Sequence, residues 1–299
     1  MKNIIFSLLL TILMLSFSQG KEVKCLSEKE ITLKKVRSII EPVFGAKVLE
    51  VSKSPVKGIY EVVIEARGRM LPIYIDCTLN YIITGEIIDI KGKRSVTRER
   101  AAELAKKATE EKIKKLEKVL GKERVEKLKK VLGERFSDIK LVDLSIIPKK
   151  NLVTYGPPKA KLTVYVVTDP ECPFCAKFDE EMHKILKQRN DVKFEIILYP
   201  LPFHKHASAI SQRIICEKSL KKKKEILNKS FEAVRNQNSK KLASLGKECE
   251  EGKKGLSNNL EFGAKAGIGG TPTIIFPHGI MISGWMTAEQ INKVLDVLK

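Results

Sequence analysis

Beyond its first residues the chain has no apolar run long enough to cross a bilayer, which takes about 20 consecutive apolar residues. That excludes membrane spans after the N-terminus. Paired metal-binding residues are also missing. Of four histidines only His204 and His206 stand close together, and no second short-spaced Cys/His pair accompanies the one at Cys172 and Cys175. A structural zinc site usually draws its ligands from two such pairs, so no metal is expected, nor any other cofactor. No small residue precedes Cys25, where Lys24 stands, so a lipid-attachment pattern is absent. Basic clustering is lacking as well. The formal charge is +20, yet Lys and Arg are spread along the chain and interleaved with Glu, as on a solvated surface. Nucleic acid is therefore not an expected partner, although a high positive charge in a tighter patch would attract it.

What is present begins with an export pattern. Lys2 supplies a positive start, Ile4 to Phe17 forms a short apolar run, and Ser18-Gln19-Gly20 offers small residues at a cleavage site. Residues 1–20 are expected to be a signal peptide; the alternative is an uncleaved N-terminal anchor. Export changes the meaning of the six cysteines, Cys25, Cys77, Cys172, Cys175, Cys216 and Cys249. An even number in an oxidising compartment suggests disulfides, with the pairing left open.

Along the chain, "EKEITLKKVRSIIEPVF" places Leu33, Val36, Ile40 and Val43 at helical spacing, ending near Pro42 and Gly45. Four strand-like runs follow, Lys47–Lys53, Ile59–Ala66, Met70–Cys77 and Tyr81–Ile90. Residues 21–94 thus read as a small α+β domain, marginal for an isolated core, for which dimerisation would hide remaining apolar surface. Residues 95–140 are rich in helix formers and contain a short duplication, "KLEKVLGKER" and "KLKKVLGERF". Gly121 and Gly133 are expected just past helix ends. The segment reads as a charged helical connector with a solvated face. From Leu141 to the end the order is β, α, β, a long helical segment, β, β, α, opened by the strand-like "LVDLSII" and a loop, "PKKNLVTYGPPKAK". Thr287 is expected to cap the last helix.

The buried-strand pattern "LTVYVVT" is followed at once by "TDPECPFCAK". Cys172 would cap a helix and face free backbone N–H groups at the positive end of its dipole. Such a setting lowers a thiol pKa from about 8.5 into the range of roughly 3.5–7.5. Cys175 falls one turn later, Pro173 suits the first helical position, and Phe174 adds apolar surface. Cys172 is the expected nucleophile and Cys175 the resolving thiol. A structural disulfide and half a metal site are the rival readings. "GGTPT" supports the redox one, because Pro272, opening a strand beside Thr271, is a good site for a cis bond. It would leave backbone groups free for an extended substrate.

Strand, Cys-Pro-Phe-Cys, helix, helical insertion, Thr-Pro strand and final helix resemble the thioredoxin superfamily. More closely, "TDPECPFC", "GIGGTPTIIFPHGIMISGW" and, more weakly, "YIITGEIIDIKG" resemble the exported disulfide isomerases DsbC and DsbG. The resemblance implies an α/β thioredoxin-like catalytic domain with a helical insertion (141–299), a small N-terminal α+β, cystatin-like dimerisation domain (21–94) and a helical linker (95–140). It implies a cis Pro272 facing the active cysteines, Thr271 as the residue before it, and a non-catalytic disulfide between Cys216 and Cys249. It further implies a periplasmic homodimer that acts on unfolded or misoxidised exported proteins and is kept reduced by a DsbD-like membrane protein. A DsbG-like reductant of single oxidised cysteines, a thiol oxidase and a holdase chaperone are the alternatives. The linker looks longer than the family's. Cys25 and Cys77 match no family role; they would staple the small domain or stand as free or intermolecular thiols.

Overall fold

The computed structural model describes residues 24–66 and 68–299; the expected signal peptide lies outside them. The chain divides into two compact units, the second running Lys112–Lys299.

In the first unit Thr32 caps α1 (Leu33–Phe44), its Oγ1 accepting from the Lys35 N–H at 3.3 Å. Val36 and Ile40, one turn apart, are fully buried and pack on an antiparallel sheet of β1 (Lys47–Lys53), β2 (Ile59–Ala66), β3 (Arg69–Asp76) and β4 (Ile82–Ile83), in that order. Val48, Val62, Ile64, Ile73 and Ile75 supply the sheet's side of this core. The expected single strand Tyr81–Ile90 is split. Gly85 interrupts it, since glycine weakens a strand interior, and the chain beyond pairs elsewhere, as β5 (Ile88–Asp89) with β6 (Arg94–Ser95). Cys25 and Cys77 are bonded, with the Leu26 N–H donating to the Cys77 carbonyl at 3.0 Å beside them. Helix α2 (Val96–Leu120) follows, and Arg100 on it donates to Glu61 at 2.8 Å and Glu50 at 3.1 Å.

The second unit takes the last turns of α2 and all of α3 (Lys122–Leu132) into its core. Leu116 and Leu120 from one copy of the duplication, and Leu128 and Leu132 from the other, join one apolar cluster with Val125 and Phe136. The segment's Lys and Glu side chains are solvated as expected, but its leucine stripe is buried structure. A sheet ordered β7-β12-β11-β9-β10-β8 is built from β7 (Lys140–Leu141), β8 (Val153–Tyr155), β9 (Leu162–Thr168), β10 (Val192–Leu198), β11 (Thr273–Ile275) and β12 (Ile280–Ser283). Only β9 and β10 pair in parallel in this sheet, joined by the crossover helix α4 (Pro173–Gln188). The expected strand from Leu141 shrinks to β7 because Asp143 accepts from the Ser145 N–H at 2.8 Å and starts a helical turn. The expected loop after it contains β8, whose alternating Val153 and Tyr155 are buried against β10. Helices α5 (Ala207–Cys216), α6 (Leu220–Arg235), α7 (Ser239–Leu245) and α8 (Glu250–Lys265) form the insertion, and α9 (Ala288–Leu298) closes the chain. Thr287 caps α9 with a reciprocal box to Gln290. Among the described residues no helix is long and apolar enough to cross a membrane.

Candidate active site

The end of β9 delivers the chain to the site. Thr168 closes the strand, the backbone turns through Asp169 and Pro170, and the Cys172 N–H donates to the Asp169 carbonyl at 3.1 Å. Cys172 then caps α4 in an extended conformation, and Pro173 takes the first helical position, where the missing N–H costs nothing. Cys175 lies one turn on. Both are free thiols. Residue by residue they are 4% and 1% exposed, so each is shielded and the difference lies in their partners. The thiol and the amide N–H of Cys175 point at Cys172, with the Phe174 N–H behind them, and lower its pKa to about 6 despite its burial. Cys175 is pushed the other way, well above the ordinary thiol range, first by burial and then by Cys172 beside it. One thiol is poised as a thiolate and the other is held protonated.

The opposite wall comes from the start of β11. The Thr271–Pro272 bond is cis, and the Thr271 carbonyl oxygen lies 3.5 Å from Cys172 Sγ. The Pro272 carbonyl accepts from the Gly284 N–H at 2.7 Å, which ties this wall to the loop after β12. Phe174 is more than half exposed on the helix side. Cys172, Cys175, Pro173, Phe174, Thr271 and Pro272 are therefore brought to one place. Cys216 and Cys249 are bonded to each other within the helical insertion, linking the end of α5 to the start of α8, and belong to a separate region of the unit.

Two residues beside the dithiol escape a reading of the sequence. Asp169 is fully buried. Its Oδ1 accepts from the Glu171 N–H at 2.7 Å, and its Oδ2 from the Leu201 N–H at 2.6 Å, while His204 Nδ1 lies 2.8 Å from the same oxygen. Its own N–H faces Cys175 Sγ at 3.5 Å. Burial pushes the Asp169 carboxyl pKa up in spite of these partners. Glu171 in turn accepts from the N–H groups of His206 and Ala207 at the start of α5. His204-Lys205-His206, expected as a turn entering a helix, is such a turn, and it also locks the loop that carries the dithiol. The signal that could have found Asp169 is an acid placed immediately after a strand of buried pattern. Among the described residues no cluster of three or more His, Cys, Asp or Glu could hold a metal ion.

Residues 148–299, about half of the chain, match the family model described as a thioredoxin-like domain. Residues 24–98 match the model described as the disulfide bond isomerase protein N-terminal domain. The thiol:disulfide interchange protein DsbC of Salmonella typhimurium is 24% identical over 151 residues, which are 50% of this chain and 56% of that protein. DsbC of Escherichia coli is 24% identical over 149 residues, with the same two shares. The chain thus spans about half the length of the curated relatives it matches. A solved catalytic domain of Proteus mirabilis ScsC is 21% identical, covers 57% of this chain and 99% of that one, and superposes with a TM-score of 0.44.

Proposed function

The chain belongs to the thioredoxin-like family and carries a DsbC-type N-terminal domain, and from this premise we propose that it is an exported, homodimeric thiol–disulfide isomerase of misfolded secreted proteins. The observation that carries the reading is the opposed pair of thiols, Cys172 at about 6 and Cys175 well above the ordinary range, facing the Thr271–Pro272 wall. At neutral pH the Cys172 thiolate attacks one sulfur of a wrong substrate disulfide. A mixed disulfide forms, and the other substrate cysteine leaves as a thiolate. A substrate thiolate then attacks the mixed disulfide, forms a new substrate pairing and returns Cys172 as the thiolate. Alternatively Cys175 loses its proton and displaces the substrate; the enzyme ends oxidised and the substrate reduced by two electrons. That exit requires re-reduction, which implies a DsbD-like membrane reductant as partner.

The substrates are unfolded or misoxidised exported polypeptides, met in the periplasm. Dimerisation through the first unit is supported by its surface, where Leu71, Tyr81, Ile83, Ile88 and Ile90 are exposed, apolar area that a second copy could cover. Reactivation of a scrambled disulfide substrate by wild type and by Cys172→Ala tests the reading. The variant is expected to lose reactivation and keep any suppression of aggregation. Reactivation that survives the substitution would turn the reading toward a holdase, and a pair found mostly oxidised in cells would turn it toward an oxidase.

A further inference from the structure

The Cys216–Cys249 bond ties the end of α5 to the start of α8. It lies in the wall of a groove of about 480 Å³, a size common among small-ligand pockets. Both cysteines are only partly buried. The groove's charged lining is Arg213, Lys218, Lys222 and Lys247, with Glu217 as the acid among them. Arg213 is held in place by its Nη1, which donates to the Leu245 carbonyl at 3.0 Å. Lys218, Lys222 and Lys247 are exposed. Glu250 and Glu251 occupy the first turn of α8 and do not line the groove.

The two sulfurs stand in opposite settings. Cys249 caps α8, but its side chain accepts from none of the helix's free N–H groups. One of these, from Gly252, donates instead to Cys216 Sγ at 3.1 Å. An added Cβ on Gly252 would overlap Cys249 Sγ and the Gln212 carbonyl, so this close turn needs glycine. Cys249 Sγ in turn lies 3.3 Å from the Gln212 carbonyl oxygen. A thiolate on Cys216 would meet an N–H at the positive end of a helix, whereas one on Cys249 would face the negative end of a carbonyl dipole. In thiol–disulfide exchange the sulfur that carries charge more easily is the better leaving group, and an accessible disulfide is the labile kind.

We infer that the Cys216–Cys249 disulfide is a second redox site, opened by a small carboxylate-bearing thiol that enters the groove and attacks Cys249. The inference goes beyond the isomerase reading and does not use Cys172 or Cys175. The Lys and Arg side chains of the groove hold the carboxylates of the incoming thiol. Its thiolate forms a bond to Cys249 Sγ, the Cys216–Cys249 bond breaks, and Cys216 leaves with the electron pair under the Gly252 N–H. A second thiolate attacks the added sulfur of the mixed disulfide and frees Cys249. Cys216 and Cys249 each take a proton from solvent. The protein disulfide has then gained two electrons, the two small thiols have become one disulfide, and α5 is released from α8.

The test uses the full-length chain with Cys172→Ala and Cys175→Ala, so that only the two disulfides can react. Opening of Cys216–Cys249 at pH 8 is followed by acid quench and mass mapping, with glutathione, which carries carboxylates, and with 2-mercaptoethanol, which carries none. In Lys222→Gln/Lys247→Gln the glutathione rate is expected to fall about 3–10-fold, the size of two exposed charge pairs, and the 2-mercaptoethanol rate to change less than about twofold. Salt at about 0.5 M should bring the rate of the unsubstituted groove near that of the variant. With one cysteine of the pair left, in Cys249→Ala or in Cys216→Ala, alkylation of Cys216 is expected to reach its midpoint at lower pH than alkylation of Cys249. A bond that survives both thiols until urea unfolds the chain overturns the inference and leaves a structural staple. No slowing, or equal slowing for both thiols, overturns the anion groove. A Cys249 midpoint at or below that of Cys216 overturns the order of attack. None of these measurements involves the catalytic dithiol, so the isomerase reading stands or falls separately.

Discussion

Cys172 Sγ and the carbonyl oxygen of Thr271 lie 3.5 Å apart although 99 positions separate the two residues. The first turn of α4 and the start of β11 meet only because β9 and β11 are neighbours in the sheet, paired from Thr273↔Val167 onward. The nucleophile is thus roofed by backbone that presents an acceptor, and a substrate disulfide must reach it along that edge.

Alkylation of the reduced protein is expected to titrate at Cys172 with a midpoint near pH 6, because the thiolate is the reacting form. The rate should be low at pH 5 and level above about pH 7, where a free thiol, ionising near 8.5, would still be rising. The same depression stabilises the reduced fold. Its contribution is complete above the unfolded thiol pKa and is lost as pH falls through about 6. The melting temperature of the reduced form relative to the oxidised one should therefore rise between about pH 6 and 8, below the range where the raised pKa of Cys175 acts in the opposite sense. A flat difference over that window would refute the depressed pKa.

Asp169→Asn should destabilise the fold by about 1–3 kcal/mol, the cost of a buried polar group set against the wrong partner. The carboxylate accepts from Glu171 and Leu201 N–H groups, and an amide offers only one oxygen for them. Denaturant melts measure the loss, and unchanged stability would mean that the loop is held by other contacts.

Gly263 on α8 has Tyr199 against it, so closely that an added Cβ would overlap the ring. Gly263→Ala is expected to cost about 1–3 kcal/mol by overpacking and to shift thermal unfolding accordingly, while alkylation of Cys172 keeps its pH midpoint.

Arg100→Met removes the partner of Glu61, whose side chain is 9% exposed. About 2 kcal/mol should be lost, in the range of hydrogen bonds to charged groups, and most of it recovered when Glu61→Gln is added, since no buried charge then lacks a partner. A double variant no better than the single one would contradict this account.

The dithiol was legible because its logic is local. An apolar strand, a Cys-Pro-Phe-Cys and a helix lie within one stretch, and the proline can occupy only a few places in a helix. Strands β1 to β3 were legible for a similar reason, their β-branched residues being bounded by turns. Asp179 was not. In "KFDEEMHK" it reads as one more acid on a helical surface, yet it is buried, with Arg235 of the distant α6 against it. Asp169 and His204 are 35 positions apart, and nothing in either neighbourhood announces the other. The apolar residues of the connector stood in plain view, but its abundant Lys and Glu suggested a charged spacer with a solvated face, whereas α9 covers α3 along its leucines.

The two "KVLG" copies also say where the catalytic part of the chain can be cut. A truncation at residue 141, where the composition changes, would strip Leu116, Leu120, Val125, Leu128, Leu132 and Phe136 from their shared cluster and uncover the side of α9 that α3 lies against. A fragment that keeps this cluster whole starts near Lys112.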